Sequence, residues 1–304
     1  MGVRDMQKVR KAVIPAAGFG TRFLPQTKAM PKQMLPIVHK PIIQYVVEEL
    51  VSAGIEDIII VTNHLERSIE DHFDDPNQDV VGALRMGGPK KEPLLKELED
   101  IGRMANFAYV RQKGPIGNGT PFLNVRHIIG NEPFVVVWSD EFVISRPTSV
   151  IRQLIDTYNE FGCSVLGTVK ADKEKDFDRY GYAGGTEIRP GLYDVNEIIE
   201  KPGKERVPAS MAALIWACVY TPDIFDYMKE VLVNLPNGEE LCYVDAVHRM
   251  YKDNKRVIAK IFENAEYYDC GTVLEYMKTA TRLGLADPEI GESYKTFLQS
   301  LTLK

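Results

Sequence analysis

Short apolar stretches alternate with amphipathic ones along most of this chain, and that rhythm restricts the folds open to it. Such alternation is typical of β-α units, in which each strand is followed by a helix that packs on the sheet. It predicts an α/β fold of Rossmann-like type, with an open mixed, mostly parallel sheet flanked by helices. The first predicted strands are Lys11 to Pro15, Ile58 to Val61, Phe107 to Val110, Phe134 to Ser139 and Ser164 to Val169.

One crossover helix is well marked between the first two predicted strands, and Gly54 follows it as a stop signal. Its apolar residues recur at helical spacing: Ile42, Val46, Val47 and Leu50. Farther along, the stretch from Asp74 to Met104 becomes highly charged. Its pattern predicts a surface excursion with one short helix rather than a domain boundary.

The second half of the chain has longer and less regular apolar stretches, which predict a smaller lobe of mixed structure. Its predicted strands are Asp194 to Glu200, Ala212 to Tyr220 and Val257 to Phe262, and its predicted closing helices are Val273 to Leu285 and Tyr294 to Leu303. We therefore expect a single domain over residues 1–304. Its parts would cover about 8–170, 171–270 and 271–304.

Composition excludes several classes of function. The 304 residues are 44% hydrophobic, which suits a globular chain, and no apolar run approaches the roughly 20 residues that cross a bilayer. The charged start lacks the apolar stretch of a signal peptide and predicts a cytoplasmic protein. The net charge of −6 disfavours a surface for nucleic acid or an anionic membrane. The scattered cysteines predict neither disulfides nor a zinc site: Cys163, Cys218, Cys242 and Cys270.

The segment AVIPAAGFGTRFLPQTKAMPKQMLP carries the most chemical information, because an apolar strand leads directly into small residues and cations. At Ala17, Gly18 and Gly20 the backbone N–H groups can approach phosphate oxygens closely. Positive charge for a polyanion would come from Arg22, Lys28 and Lys32, and three prolines restrict the loop. The segment thus predicts a triphosphate cradle, with a plain strand-to-loop turn and solvated cations as the alternative.

Two common phosphate-binding motifs do not fit this segment. The P-loop string G-x-x-x-x-G-K-[ST] is absent from the sequence. The dinucleotide fingerprint requires a third glycine where Phe23 stands, and an acidic residue after the second strand, where the chain has Thr62 and Asn63. Neither motif therefore accounts for this loop, and a family with a different phosphate-binding loop must be considered.

The strings GFGTRFLP and PKQMLP resemble the signature of the sugar-nucleotide pyrophosphorylases, a nucleotidyltransferase family. Further strings fall in the family's order across nearly the whole chain, among them EPFVVVWSD, RYGYAG, IIEKPGKERVPAS and YYDCGT. The resemblance is strongest to the family's UTP-dependent uridylyltransferase branch. It implies a nucleotide-binding part at about 8–170, a sugar-binding part at about 171–270 and C-terminal helices at about 271–304. It also implies UTP (or dTTP) and a sugar 1-phosphate as partners, and a homo-oligomer.

The resemblance assigns the nucleotide to the loop and to polar groups beyond it. The residues that match the family's nucleotide-binding positions are Ala17, Gly18, Gly20, Thr21, Gln33, Gln112 and Gly117. A glutamine offers a donor and an acceptor, which suit the edge of a pyrimidine. Uridylyltransferases of this type usually have Glu where Gln33 stands, however, and Gln is familiar in the thymidylyltransferase branch. Surface hydrogen bonding is the alternative for both glutamines.

The resemblance likewise implies a Mg²⁺ ion and a sugar-phosphate site. Asp140 and Asp269 match the family's metal ligands, and carboxylate oxygens suit that ion. We expect Glu141 to point elsewhere, because neighbouring strand residues face opposite sides. The sugar-binding matches are Gly181, Glu200 and Lys201. The alternatives are a helix or turn cap for each aspartate, a simple turn for the glycine, and an exposed ion pair for the other two.

Departures from the family pattern gather near the predicted sugar site, at Met211 and Trp216 among others. Trp216 could stack on a pyranose, although a bulky residue in a strand is more often core. The expected reaction is in-line attack by the sugar phosphate on the α-phosphorus, with Arg22 and Lys32 steadying pyrophosphate and Lys201 the sugar phosphate. A non-catalytic sensor of nucleotides or sugar phosphates is the alternative from another class.

Overall fold

Nine strands form one continuous sheet in the computed structural model, which describes residues 7–64, 66–170, 177–178, 180–206 and 213–301, with the backbone alone at 213–215. Two short ribbons accompany the sheet. The strands are β1 (Lys11–Pro15), β2 (Pro36–Ile37), β3 (Lys40–Pro41), β4 (Asp57–Thr62), β5 (Asn106–Arg111), β6 (Phe134–Val137), β7 (Glu141–Ser145), β8 (Ser164–Lys170), β9 (Gly181–Arg189), β10 (Leu192–Glu200), β11 (Ala213–Tyr220), β12 (Val257–Ile261) and β13 (Ala265–Asp269).

The large sheet has the order β5-β4-β1-β6-β11-β8-β12-β10-β9. From β5 to β6 all neighbours are parallel, so their carboxyl ends share one edge. Of the strands described in this sheet, β10 and β11 run against the others. The mixed, mostly parallel sheet predicted from the sequence is confirmed.

Helices cover both faces of this sheet. They are α1 (Ile42–Ser52), α2 (Arg67–His72), α3 (Gln78–Met86), α4 (Glu92–Gly102), α5 (Thr120–Ile129), α6 (Val150–Phe161), α7 (Gly203–Arg206), α8 (Ile224–Val233), α9 (Tyr243–Lys252), α10 (Val273–Ala286) and α11 (Gly291–Ser300). Ala12 and Ile14 of β1 join the core beneath α1 and α6, while Val13 joins the opposite core beneath α5 and α8. Strand alternation therefore produces two apolar cores, one on each side.

The strands of the second half extend the first half's sheet instead of forming a sheet of their own. β11 makes this possible because it pairs antiparallel with β6 on one side and β8 on the other. The ribbon of β7 and β13 is separate, and it brings the chain after β6 next to the chain before α10. The predicted sugar-binding part therefore shares its backbone frame with the nucleotide-binding part.

The charged stretch after Asp74 differs from its prediction, because it contains two helices, α3 and α4, rather than one short one. Asn77 starts α3 by accepting a hydrogen bond from the Asp79 N–H at 2.8 Å. Gly88, at a φ of 73°, and the following Pro89 separate the two helices. α11 also begins earlier than predicted, because Asp287 accepts from the N–H groups just before it.

Among the described residues, none of the helices has both the length and the apolar character needed to span a membrane.

Candidate active site

The glycine-rich loop leaves β1 at the edge where the parallel strands end. The N–H of Ala16 still donates to Val61 of β4 at 2.8 Å, and the loop then turns outward. Gly20 lies in the left-handed region at a φ of 60°, and a Cβ there would lie 3.0 Å from Thr27 Cγ2. Gly18 faces open space, because a Cβ added there would meet nothing within 4 Å. One glycine therefore permits the turn and the other leaves the backbone accessible.

Two cations of the loop reach across to the segment around the predicted metal ligands. Lys32 forms an ion pair with the Asp140 carboxylate. Arg22 donates from Nη1 to the Gly271 carbonyl at 3.3 Å. Lys28, by contrast, is exposed. Arg22 and Lys32 thus connect the loop to the opposite wall of the site.

Asp140 and Asp269 converge, although 128 intervening residues separate them in the sequence. A Cβ placed on Gly271 would lie 3.1 Å from Asp269 Oδ1 and 3.6 Å from Asp140 Oδ2, so both oxygens border one small space. Asp269 is oriented by the N–H of Gly271, which donates to Oδ1 at 2.6 Å, and by the Tyr180 hydroxyl, which donates to Oδ2. Two hard carboxylate oxygens in this arrangement suit a small divalent cation.

Glu141 lines the same cavity as Asp140, but its carboxyl group is buried, and the expectation that it is not a metal ligand stays a prediction. β6 ends at Val137 rather than at Ser139, which leaves Asp140 outside any strand, and strand alternation does not apply to the pair. Burial, followed by the neighbouring Asp140 charge, raises the pKa of Glu141 well above its usual value. The Tyr267 hydroxyl donates to this carboxyl group.

A cavity of 530 Å³ brings together the predicted metal, sugar and phosphate groups. Its walls include Arg22, Asp140, Gly181, Glu200, Lys201, Asp269 and Gly271. Gly181 and Glu200 are cross-strand partners at the ends of β9 and β10. Burial raises the pKa of Glu200, while the nearby Lys201 acts in the opposite direction. The structure thus brings these predicted groups together around one cavity.

Lys201 is held in an uncommon backbone conformation, with a φ of 46°. Its N–H donates to the Tyr180 carbonyl at 3.1 Å, and its Nζ lies 3.8 Å from Glu200 Oε1. Left-handed geometry at a residue with a long side chain costs roughly 1 kcal/mol or more and is often found at functional sites. Here it aims an exposed cation at the mouth of the cavity.

The tryptophan on the cavity wall is Trp138, which the sequence reasoning missed. Its partly buried ring lies 5.2 Å from that of Tyr243, and the Tyr243 N–H donates to Asn118 Oδ1 at 3.1 Å.

Trp216 is instead 1% exposed and donates to the Glu141 carbonyl at 3.0 Å, so its core interpretation is confirmed. The other lining residues that were missed are Asp178, Tyr180, Gly271 and Thr272. Met211 lies outside the described residues. Trp138 could have been identified from the sequence, because it lies directly after β6, at the edge of the sheet where ligands bind.

The predicted nucleotide-binding residues lie beside this cavity rather than on its wall. Gln33 is 1% exposed, and its Nε2 donates to the Ala16 carbonyl at 3.1 Å and to Ser139 Oγ at 3.2 Å. Its Oε1 is buried without a partner among the described residues. Gln112 is partly buried, and its backbone N–H donates to the Thr62 carbonyl at 2.8 Å. Gln33 is therefore a buried group that hydrogen-bonds at the ends of the strands. It is not the surface group that the alternative interpretation described.

Gly117 has a close neighbour in the protein itself. At a φ of 139° its missing Cβ would lie 2.1 Å from the Leu241 carbonyl oxygen. The N–H of Leu241 donates to Ile116, and that of Gly119 donates back to Leu241, both at 2.8 Å. This close backbone approach requires glycine at 117, whether or not a base packs there. Ala17 and Thr21 lie on the open side of the loop, partly buried and exposed respectively.

Comparisons with known proteins agree with this arrangement of residues. The family model for nucleotidyl transferases matches residues 11–284. The chain is 43% identical to a UTP–glucose-1-phosphate uridylyltransferase of Staphylococcus epidermidis, over 98% of this chain and 100% of that protein. It is 41% identical to one of Bacillus subtilis, over 97% and 96% of the two chains.

Solved structures give the same result. A UDP-glucose pyrophosphorylase complexed with UDP-glucose is similar with a TM-score of 0.79 and 37% identity, over 90% of this chain and 98% of that one. A UTP-bound UGPase from Acinetobacter baumannii is similar with a TM-score of 0.85 and 30% identity, over 97% of this chain and 100% of that one.

Proposed function

The chain belongs to the nucleotidyl transferase family, and we propose that it is a UTP–glucose-1-phosphate uridylyltransferase, which forms UDP-glucose and pyrophosphate. The observation that carries this proposal is the meeting of loop cations, paired aspartates and Lys201 around one cavity. That arrangement provides positive charge for two phosphorylated substrates and oxygen ligands between them. Relatives with this activity cover nearly the whole length of the chain.

UTP would lie along the glycine-rich loop, with its phosphates directed toward the cavity. Gly18 leaves backbone N–H groups open to phosphate oxygens, and Arg22 supplies a guanidinium that is exposed at the cavity's entrance. Lys32 would share its charge between Asp140 and the phosphates. Ala17, Gly20 and Thr21 would contact the nucleotide, with Gln112 and Gly117 beside the base.

Glucose 1-phosphate would occupy the 530 Å³ cavity. Glu200 offers a carboxylate to sugar hydroxyls, and the backbone at Gly181 can approach the ring because no side chain intervenes. Lys201 would bind the sugar's phosphate from the mouth of the cavity. Trp138 provides an apolar surface of the kind on which a pyranose can pack.

In the reaction, a phosphate oxygen of glucose 1-phosphate forms a bond to the α-phosphorus of UTP. The bond from that phosphorus to the bridging oxygen breaks, and pyrophosphate leaves with the electron pair. Arg22 and Lys32 neutralise the charge that develops on the leaving group, and Lys201 orients the attacking phosphate. Asp140 and Asp269 would hold a Mg²⁺ ion, which supplies further charge neutralisation when bound.

Glucose-1-phosphate thymidylyltransferase, or transfer to another sugar 1-phosphate, is the second candidate function, and Gln33 is the observation that favours it. Glutamine at this position is familiar in the thymidylyltransferase branch, while in the structure its Nε2 donates within the protein, to the Ala16 carbonyl and to Ser139 Oγ. A sensor without catalysis is less well supported, because the cations and carboxylates that the reaction needs all remain in place.

A substrate panel tests the proposal. Purified protein with Mg²⁺ is supplied with UTP or dTTP, each paired with glucose 1-phosphate or an N-acetylhexosamine 1-phosphate, and pyrophosphate release is measured. UTP with glucose 1-phosphate should give the highest kcat/KM. Preference for dTTP would support the second candidate, and binding without pyrophosphate release would support the sensor. The cytoplasmic location and the homo-oligomer stay predictions.

A further inference from the structure

Asn63 connects three segments at the edge of the sheet where the nucleotide loop begins. It follows β4, and its Nδ2 donates to the Ala17 carbonyl at 2.9 Å. Its own carbonyl accepts from Arg111 at the end of β5. Ala17 and Gln112, which flank this point, are both among the predicted nucleotide-binding residues. The conformation of Asn63 is therefore linked to the backbone that would receive the nucleotide.

The orientation of Asn63 depends in turn on Glu66. The carboxylate of Glu66 accepts twice from the same residue, at 2.9 Å from the Asn63 N–H and at 2.9 Å from its Nδ2. An amide nitrogen has two hydrogens, so one can reach Ala17 and the other Glu66. With both hydrogens engaged, the amide cannot rotate without losing a hydrogen bond. The carboxylate thereby determines which way the Asn63 side chain points.

The placement of this carboxylate is costly to the protein. Glu66 is 1% exposed, and Arg111 forms its ion pair with Glu70, at 3.2 Å. Burial raises the pKa of Glu66 to about 7, while Arg111 and Lys32 act against that rise. A buried carboxylate whose described hydrogen bonds go to a single loop residue is expensive for a purely structural role.

We propose that Glu66 is a positioning residue for the nucleotide, acting through Asn63 to hold the Ala17 carbonyl and hence the start of the glycine-rich loop. The proposal rests on the proposed function in that the loop binds a nucleoside triphosphate. Many dinucleotide-binding folds have an acidic residue after the second strand that contacts a ribose. In this chain the acid stands at 66 and bonds to the protein backbone and an amide instead.

The proposal predicts a dependence on pH that follows from hydrogen-bond chemistry. An ionised Glu66 accepts both hydrogen bonds, whereas a protonated one has a donor where an acceptor is needed. The charged groups that face it are Arg111 from β5 and Lys32 from the loop, and Glu70 of α2, the helix that follows Glu66, is paired to Arg111. Nucleotide affinity should therefore increase as pH rises through the region where Glu66 ionises.

The experiment measures the Kd of UTP by calorimetry and the KM of glucose 1-phosphate by pyrophosphate release, for wild type and four variants. Glu66→Gln removes one acceptor, and Asn63→Ala removes the amide that bonds to Ala17. The double variant tests whether the two residues act in series. Asp71→Asn is the matched control, because it removes an exposed carboxylate of α2 that pairs with Arg67 rather than with Asn63 or Arg111. Thermal unfolding checks that each variant is folded.

We expect Glu66→Gln and Asn63→Ala each to raise the Kd of UTP about tenfold near pH 8, the usual effect of a hydrogen bond to a charged group. The KM of glucose 1-phosphate should stay within about twofold, and the double variant should bind no more weakly than Asn63→Ala alone. Glu66→Gln should also abolish the rise of affinity with pH near 7.

An unchanged Kd in folded Glu66→Gln, additive effects in the double variant, or an equal loss in Asp71→Asn would each overturn the proposal. The substrate panel on the wild type distinguishes a failure of this proposal from a failure of the proposed function. If the substrate panel shows that the enzyme uses dTTP, the base assignment fails, and Glu66 is then judged by the same variants on the Kd of dTTP.

Discussion

Lys32 and Asp140 form an ion pair that joins the glycine-rich loop to the carboxyl end of the central strand β6. Both groups are partly buried, with 20% and 27% of their side chains exposed. In the proposed reaction the lysine faces the phosphates of UTP and the aspartate faces a metal ion. The two charges therefore balance each other in the free protein and each gains a new partner when substrates bind.

Asp140→Asn should lower kcat by about a hundredfold or more and change the Kd of UTP far less, because the carboxylate acts where charge develops during the reaction. Steady-state pyrophosphate release at saturating substrates and Mg²⁺ measures the first quantity, and calorimetry the second. Asp156→Asn removes the same charge from an exposed position on α6 and should leave both unchanged. Normal turnover in Asp140→Asn would rule out its assigned role.

Lys201→Gly should raise the KM of glucose 1-phosphate about tenfold or more, because a charge-assisted bond to phosphate is lost. Its melting temperature should not fall, since glycine adopts the φ of 46° without strain. Asn254→Gly is the matched control: it relieves the same kind of backbone conformation, at a φ of 60° in an exposed turn, and should leave KM unchanged. A normal KM in Lys201→Gly would contradict the assignment.

Trp138→Leu should raise the KM of glucose 1-phosphate about fivefold, the effect of losing an aromatic contact of roughly 1 kcal/mol. The chain has only two tryptophans, which allows a direct optical test. UDP-glucose should quench the intrinsic fluorescence of wild type and of Trp216→Phe, but not that of Trp138→Phe. Quenching that survives in Trp138→Phe would show that the sugar does not contact this ring.

Gly271→Ala should raise the Mg²⁺ concentration needed for half-maximal activity and lower kcat about tenfold. The added methyl group would lie 3.1 Å from Asp269 Oδ1 and would push this oxygen away from Asp140. Gly82→Ala is the control, because a methyl group there meets nothing within 4 Å. Titration of activity with Mg²⁺ after treatment with EDTA measures the effect. An unaltered titration curve in Gly271→Ala would contradict a shared metal site.

The raised pKa of Glu66 also predicts how stability depends on pH. The folded protein holds this proton up to about pH 7, whereas an ordinary glutamate releases it near 4.5. Between these values the unfolded chain binds fewer protons, so the contribution of Glu66 to stability is lost as pH rises. Relative to Glu66→Gln, the wild type should lose on the order of 2 kcal/mol of unfolding free energy between pH 5 and 8. Urea denaturation at a series of pH values measures this difference, and a constant difference would contradict the shift.

Local patterns in the sequence were sufficient for the elements that have clear boundary signals. The prediction for Lys11 to Pro15 coincides with β1, and the helix that begins near Ile42 ends before Gly54, whose φ is 87°. Periodicity and turn residues act over a few positions, so they can be read without knowledge of distant contacts. The charged stretch after Asp74 was less readable because Gly88 and Pro89 divide it into two helices, α3 and α4.

The family and the position of most site residues likewise followed from the sequence, since strings such as GFGTRFLP and YYDCGT carry them locally. The roles that depend on contacts between distant residues did not follow from the sequence. Trp138 and not Trp216 faces the cavity, and Glu141 joins Asp140 there, because β6 ends early and β11 inserts between β6 and β8. Glu66 reaches Ala17 only through Asn63, across neighbouring parallel strands. Such contacts depend on strand order and packing between distant segments, which only the tertiary structure decides.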